Sequence, residues 1–194
     1  MILGVTGLMG SGKSYICSLF RELGVPIYDS DQRARWVNNN IPELKEKLIQ
    51  KFGDVYVNGE LDKFKIRKIV FVEGGEEKLK LLNEICHPYV YKDFQDFCDL
   101  NSNQKLIVAE SAILFESGMN KRVDKVLFVD VPYDIRLERT IERDGISKSE
   151  YDNRMKRQIS LNEKIQMSDY VIDNSTSESK LEKIKLVYLD LISF

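Results

Sequence analysis

Eight residues near the start of the chain, Gly7-Leu8-Met9-Gly10-Ser11-Gly12-Lys13-Ser14, follow the spacing G-x-x-x-x-G-K-[ST]. The chemistry open to them is capture of a polyphosphate. Glycines let successive backbone N–H groups turn toward an anion. Lys13 has the reach for β- and γ-phosphates, and the Ser14 hydroxyl is a hard oxygen ligand for Mg²⁺. The pattern needs a strand before it and a helix after it, and both are present. Ile2-Leu3-Gly4-Val5-Thr6 is a short apolar strand, and Tyr15 to Leu23 carries apolar residues at helical spacing. The helix N-terminus adds its positive dipole end to the loop. The bland alternative is a glycine turn that ends by chance in Gly-Lys-Ser; the flanking strand and helix argue against it. Gly7 to Tyr15 are therefore the candidate residues for a nucleoside triphosphate, with Mg²⁺ on Ser14.

Two further groups have types and spacings that suit phosphoryl chemistry. Asp29-Ser30-Asp31 follows a short apolar run, Val25-Pro26-Ile27-Tyr28. Ligands of open α/β sheets gather at the carboxyl ends of strands. If the backbone stays extended, Asp29 and Asp31 point the same way. One carboxylate can then accept a proton from an attacking hydroxyl and the other can orient a Mg²⁺ water. Aspartate is also a favoured helix cap, and the sequence leaves that choice open. Arg136, Arg139 and Arg143 share one helical face, with Arg154 and Arg157 on the next helix. Leu137 and Ile141 lie on another face, so the expectation is a helix that packs while its arginines point away. Such a set can surround a moving phosphoryl group. It can equally be a solvated, ion-paired face, since Glu138, Glu142 and Asp144 are interleaved. The sole histidine, His87, precedes Pro88 in an apolar helical stretch. The proline predicts a break or kink there, with the imidazole satisfying a freed backbone group.

The elements that must position these residues read as an α/β chain. Lys105 to Ala109, Lys125 to Val131 and Asp169 to Asp173 are apolar runs separated by helical patterns. With the first strand and Val25 to Tyr28 they predict a central parallel five-stranded sheet in a three-layer αβα core. Two segments fall outside the alternation. Residues 31–102 are mostly helical, with a turn at Asn58-Gly59, and read as an inserted lobe. Residues 133–166 read as two helices around Asp144-Gly145, the second opened by a Ser147/Glu150 capping box. Ser175 with Glu178 is expected to open the C-terminal helix in the same way. The nucleotide-binding core is then 1–30 with 103–132 and 167–194.

The 194 residues suit one domain with insertions, and 43% hydrophobic with 31% charged residues excludes a disordered chain. A net charge of -2 gives no reason to expect a nucleic-acid partner. No apolar run reaches membrane-spanning length, and the N-terminus enters the first strand without a signal peptide. Cys17, Cys86 and Cys98 are scattered beside a single histidine, which does not support a zinc site. The expectation is a cytoplasmic protein, a monomer or weak homo-oligomer, with a small-molecule substrate.

Taken in order along the chain, these residues resemble the dephospho-coenzyme A kinase family. The likeness begins at the phosphate loop and Asp29-Ser30-Asp31. It continues through Phe52-Gly53, Asn58-Gly59-Glu60-Leu61-Asp62-Lys63, Val70-Phe71 and His87-Pro88. Ile113-Leu114-Phe115-Glu116 looks like the family's Pro-Leu-Leu-Phe-Glu segment. Arg139, Arg143-Asp144, Arg154, Gln158, Ser168-Asp169 and Ile172-Asp173-Asn174 complete it. The resemblance implies transfer of the ATP γ-phosphate to the 3′-hydroxyl of dephospho-coenzyme A, with Mg²⁺. It implies 31–102 as a helical acceptor lobe and 133–166 as a lid. Asp31 would be the base, with Asp29 assisting. Lys13 and Arg139 would stabilise the transferring group, Arg143 would grip phosphates, and Lys63 and His87 would belong to the acceptor site.

Three positions depart from the family pattern. Ala112 replaces a proline, which predicts a less rigid turn. Lys63 replaces an arginine, and the two are not equivalent where a phosphate is gripped. Tyr15 replaces a threonine beyond the Mg²⁺ ligand. Rivals are a GTPase, another small-molecule kinase such as a nucleoside monophosphate or shikimate kinase, and an ATP-binding module without turnover. The first lacks Asn-Lys-x-Asp, since Asn120-Lys121-Arg122-Val123-Asp124 is one residue too long. The second would share loop and lid and differ in the acceptor lobe. The third has no need of Asp31 or the arginines.

Overall fold

The computed structural model describes residues 1–73 and 75–193, with residues 71–73 as backbone alone, so the Phe71 side chain lies outside the described residues. In chain order the strands and helices are β1 (Ile2–Thr6), α1 (Lys13–Glu22), β2 (Ile27–Asp29), α2 (Ser30–Asn40), α3 (Pro42–Phe52), β3 (Tyr56–Val57), β4 (Glu60–Leu61) and α4 (Lys63–Arg67). They continue with α5 (Gly75–Leu100), β5 (Ile107–Glu110), β6 (Lys125–Asp130), α6 (Tyr133–Asp144), α7 (Lys148–Met155), α8 (Leu161–Gln166), β7 (Tyr170–Asp173) and α9 (Leu181–Ile192). A π-helical stretch, Lys68–Glu73, joins α4 to the region before α5. Contacts divide the chain into two units, Met1–Asp29 with Asn101–Phe194, and Ser30–Leu100.

The first unit is built on a parallel sheet of order β2-β5-β1-β6-β7. Leu3 pairs with Val108 on one side and Lys125 on the other, so β1 is central. Its residues are apolar on both faces, as a doubly covered strand requires. Leu3 and Val5 join Val108, Leu127, Val129 and Ile172 in a core closed by Ile16, Leu19 and Phe20 of α1 and by Ile184 and Leu191 of α9. On the opposite face Leu114 is fully buried, and its Cδ2 lies 2.9 Å from where a Cβ on Gly4 would stand. Leu114 thus occupies the space that a side chain on β1 would take. All five strands end toward the same edge, which brings Gly7, Asp29, Glu110, Asp130 and Asn174 to the carboxyl side of the sheet.

The turn after β5 contains Ala112. Lys164 Nζ and Gln158 Nε2 both donate to the Ala112 carbonyl, at 3.3 and 3.4 Å. This turn is therefore braced from outside, where the missing proline predicted slackness. Lys164 is fully buried and pairs with Glu116 at 2.8 Å, and Glu116 also accepts from the Ile159 N–H at 3.0 Å.

Two expectations about helix boundaries are corrected. Residues 133–166 hold α8 as well as α6 and α7, opened by a second capping box between Ser160 and Glu163. The Ser175/Glu178 pair does not open α9, which starts at Leu181 with Lys180 at the cap. The reason is a competitor: Asp173 Oδ1 takes the Ser175 N–H at 2.8 Å, an Asx turn that holds the chain out of helix.

The second unit has its own core of Val37, Leu44, Leu48, Phe52, Val55, Ile66, Val70 and Cys86. Asn58 and Gly59 both have positive φ and turn β3 into β4 as a hairpin. Asp62 caps α4 by accepting from Phe64 and Lys65 N–H groups at 2.8 and 3.1 Å. The expected break at Pro88 does not occur. Helix α5 runs through it for 26 residues. The helix tolerates the missing donor because Cys86 and Phe94 bury its face on either side of the proline.

The buried pair in the first unit yields a stability prediction. Glu116→Leu should leave the Lys164 ammonium without a counter-charge and cost about 3–5 kcal/mol in urea unfolding. Adding Lys164→Met should recover most of that loss. A single-variant loss below about 1 kcal/mol would show that the pair is not desolvated.

Candidate active site

The phosphate loop connects the central strand to α1. Gly10 and Gly12 have φ of 85° and 80°, a region that L-residues with side chains rarely enter. A Cβ on Gly10 would stand 2.3 Å from the Arg136 carbonyl oxygen, and one on Gly12 would stand 2.4 Å from Asn174 Nδ2. The loop is therefore gripped from outside by α6 and by the residue after β7. Within it, Ser11 N–H bonds to the Leu8 carbonyl at 3.1 Å, while the amides of Met9, Gly10 and Gly12 meet no backbone acceptor among the described residues. Lys13 Nζ donates to the Gly7 carbonyl at 3.1 Å, folded back across the loop it serves.

Ser14 Oγ donates to Glu110 Oε1 at 2.8 Å. Glu110 ends β5 and stands opposite Asp29 in the β2 pairing. Cys17, one turn after Ser14, also faces Glu110. Burial, with the Glu110 charge next to it, pushes its thiol well above the ordinary range, so it is a neutral and unreactive neighbour. A hydroxyl and a carboxylate are hard oxygen donors of the kind Mg²⁺ takes. Among the described residues no group of three or more His, Cys, Asp or Glu side chains stands together. An ion here would draw its other ligands from phosphates and water, as Mg²⁺ prefers. The residues present fit that ion. From the sequence Glu110 is one candidate, beside the two aspartates, for the carboxylate that orients Mg²⁺ waters; its bond to Ser14 gives it a place.

The arginines of α6 separate into three environments. Arg136 is 5% exposed and donates through Nε to the Val131 carbonyl at 2.8 Å and through Nη1 to the Tyr151 hydroxyl at 2.7 Å. Arg139 is half-buried and donates to the Asn174 carbonyl at 3.1 Å. Arg143 is exposed and pairs with Asp144 through two bonds of 2.7 and 2.8 Å, which hold the Asp144 carboxyl below its usual range. The expectation that this face points away is thus wrong for its first turn. Arg136 and Thr140 are the buried residues of α6, while Ile141 is 38% exposed. The cause is a set of partners that sequence spacing does not display: a strand-end carbonyl and a tyrosine from α7.

Asp29 and Asp31 do not continue one extended segment. Strand β2 stops at Asp29 and α2 begins at Ser30, so Asp31 lies in the first helical turn, exposed. An acidic residue there complements the helix dipole. Lys63 is exposed as the first residue of α4. His87 is half-buried on α5, its ring 5.5 Å from that of Tyr91 and tilted by 46°. It makes no hydrogen bond among the described residues, so it does not serve the backbone group freed by Pro88. His87, Pro88 and Tyr91 line an open cavity of about 510 Å³ with Leu79, Lys80 and Asn83. Burial lowers the imidazole from its ordinary value of 6.5, which keeps it neutral at pH 7.

A parallel sheet whose central strand runs through a glycine loop into a Lys-Ser helix start, with arginines on a following helix, defines a kinase of the P-loop class. A family profile described as dephospho-CoA kinase matches residues 1–180. The chain belongs to the dephospho-CoA kinase family. Dephospho-CoA kinase of Aquifex aeolicus is 36% identical over 192 residues, covering 97% of this chain and 96% of that protein. A solved protein of Thermus thermophilus superposes with a TM-score of 0.86 at 32% identity, covering 98% of this chain and 97% of the other. Dephospho-CoA kinase of Campylobacter jejuni gives a TM-score of 0.69 at 24% identity, over 99% and 96% of the two chains, and shows the shared fold. Membership makes the protein a kinase with ATP as phosphoryl donor. Among the described residues no helix is long and apolar enough to cross a membrane.

Gly10→Ala should cost about 1–2 kcal/mol from the left-handed backbone alone, and should weaken ATP binding as the loop backs away from Arg136. Calorimetric titration with ATP that matched the parent would mean the close approach is slack. For His87, the folded state favours the neutral ring. Its contribution is full above pH 6.5, where the unfolded chain is also neutral, and falls as pH drops through the lowered folded value. His87→Phe should therefore flatten the fall in stability on the acid side of pH 6.5; an unchanged slope would assign it to other groups.

Proposed function

We propose that this protein transfers the γ-phosphoryl group of ATP to the ribose 3′-hydroxyl of dephospho-coenzyme A, yielding coenzyme A and ADP. The observation that carries the reading is the Ser14–Glu110 pair at the mouth of the phosphate loop, on a chain that matches the family from residue 1 to residue 180. The loop amides and Lys13 hold the β- and γ-phosphates. Ser14 and Glu110 are the residues that would hold Mg²⁺, Glu110 through its waters. When bound, that ion neutralises charge developing on the β- and γ-oxygens.

Asp31 accepts the proton of the 3′-hydroxyl, and Asp29 assists from the end of β2. The 3′-oxygen forms a bond to the γ-phosphorus as the bond to the bridging oxygen of ADP breaks. The transition state spreads charge over the equatorial oxygens. Arg139 leaves the Asn174 carbonyl to stabilise that charge, and Arg143 exchanges Asp144 for phosphate. Residues 133–166 act as the lid. Residues 31–102 take the acceptor, with Lys63 gripping an anionic group and His87 offering a neutral ring to an uncharged part. The same reading makes the protein cytoplasmic, a monomer or weak homo-oligomer, without nucleic-acid or membrane partners.

The test is ADP release from Mg·ATP with dephospho-coenzyme A, AMP, shikimate or no acceptor. Turnover confined to dephospho-coenzyme A is expected; turnover with another acceptor would sink the substrate assignment. Asp31→Asn should lower kcat by about 10²–10⁴-fold with little change in ATP binding. Arg139→Ala should lower it by about 10²-fold or more. Parental kcat in Asp31→Asn would remove the base role.

A further inference from the structure

A loop that turns its amides inward must turn carbonyls outward, and those carbonyls need donors from elsewhere in the fold. Two of them have one. Tyr151, fully buried on α7, places its hydroxyl 3.2 Å from the Met9 carbonyl oxygen. Asn174, 5% exposed just after β7, donates its side-chain amide to the Ser11 carbonyl at 2.9 Å. Met9 and Ser11 flank Gly10, where a Cβ would run into the α6 backbone.

Each donor is itself held in place. Arg136 has only protons to offer, so its bond to the Tyr151 oxygen leaves the single hydroxyl proton for Met9. Arg139 donates to the Asn174 backbone carbonyl, and the Asn174 N–H donates to the Asp130 carbonyl at 2.9 Å. Both backbone groups of Asn174 are thereby fixed, and its side chain has one place to point. Arg136 is fixed in the same way through Val131.

We propose that Tyr151 and Asn174 are positioning residues that hold the phosphate loop in its anion-binding shape by taking the outward carbonyls of Met9 and Ser11. Arg136 holds Tyr151 toward Met9, and the Asp130 carbonyl holds the Asn174 backbone so that its side chain meets Ser11, with Arg139 as a second hold that can be given up once a phosphate is bound. The ligand they prepare the loop for is the polyphosphate itself, whichever acceptor is used. The proposal therefore rests on nucleotide binding at this loop, and on no assignment of the acceptor.

The experiment is calorimetric titration of the full chain with ADP and with inorganic tripolyphosphate, for the parent, Tyr151→Phe and Asn174→Ala. Tyr151→Phe removes one oxygen atom and keeps the ring. Each variant should bind both ligands about fivefold more weakly, the effect of one lost net hydrogen bond. The loss should be equal for the two ligands, because they share phosphates and not adenine. A packing role predicts parental affinity in Tyr151→Phe, and that result would overturn the proposal. So would a loss seen with ADP and absent with tripolyphosphate. Should Asn174→Ala fail to fold, Tyr151→Phe decides the matter alone. A parent chain that binds tripolyphosphate but does not phosphorylate dephospho-coenzyme A would instead refute the substrate reading and leave the positioning roles standing.

Discussion

Every residue near the phosphate loop answers to one constraint, the direction of its peptide planes. Free N–H groups must converge on one point, so among the described residues the amides of Met9, Gly10 and Gly12 stay without the backbone acceptors that a helix interior would give them. The chain meets this by spending distant residues on the outside of the loop. Tyr151 and Asn174 reach Met9 and Ser11 across more than 100 residues of sequence, and the α6 backbone fills the space beside Gly10. Such long-range ties exist only if β1 is central. A strand flanked by β5 and β6 can present its loop to Glu110 on one side and to the ends of β6 and β7 on the other. An edge strand would offer one side alone. The topology and the site are thus one requirement expressed at two scales.

The two units solve the problem of insertion separately. Each closes its own apolar cluster, one around the sheet and one around α2, α3 and α5. The chain leaves the sheet-bearing unit at Asp29 and re-enters it at Asn101, so the helical unit can vary without disturbing the strands that carry the loop. The cost of this arrangement falls at the junction. The last strand residue, Asp29, and the first helical turn, with Asp31, must change backbone conformation between adjacent residues. That change is why two carboxylates spaced for one extended face end on different elements.

What the sequence made legible was what local pattern controls. The strands were readable because buried parallel strands are apolar on both faces, and the loop because glycine spacing is dictated by the phosphate. Ser147 and Glu150 were readable as a cap, and Ser160 with Glu163 carries the same signature and was passed over. Other features depend on partners far along the chain. Arg136 belongs to a polar-looking helix face, and its burial is offset by the Val131 carbonyl, the Tyr151 hydroxyl and the Met155 sulfur. Ser175 has the spacing of a cap, yet Asp173 captures its amide first. Pro88 has the chemistry of a helix breaker, yet packing on both sides carries α5 past it. Asn174 was visible in sequence only as part of a family resemblance; its role against Ser11 required the fold.

Helix α6 shows how one repeated residue type can serve both rigidity and response. Its three arginines are spaced on one face, and their surroundings change in order along the helix. Arg136 is immobilised by two directed bonds inside the protein, where withdrawing a guanidinium from its partners is expensive. Arg139 holds a single carbonyl and is half-buried, so it can be released for one hydrogen bond. Arg143 is exposed and paired with its sequence neighbour, an ion pair that water and salt already weaken. The helix is therefore fastened at the end nearest the phosphate loop and progressively freer toward Gly145. The first arginine is thus fixed, the second can exchange one partner, and the third surrenders little by turning. The gradient arises from burial together with the partners that each arginine meets. The end of α6 that packs against Gly10 is the end whose arginine is held, so close approach to the loop and restraint of the guanidinium come from the same contacts.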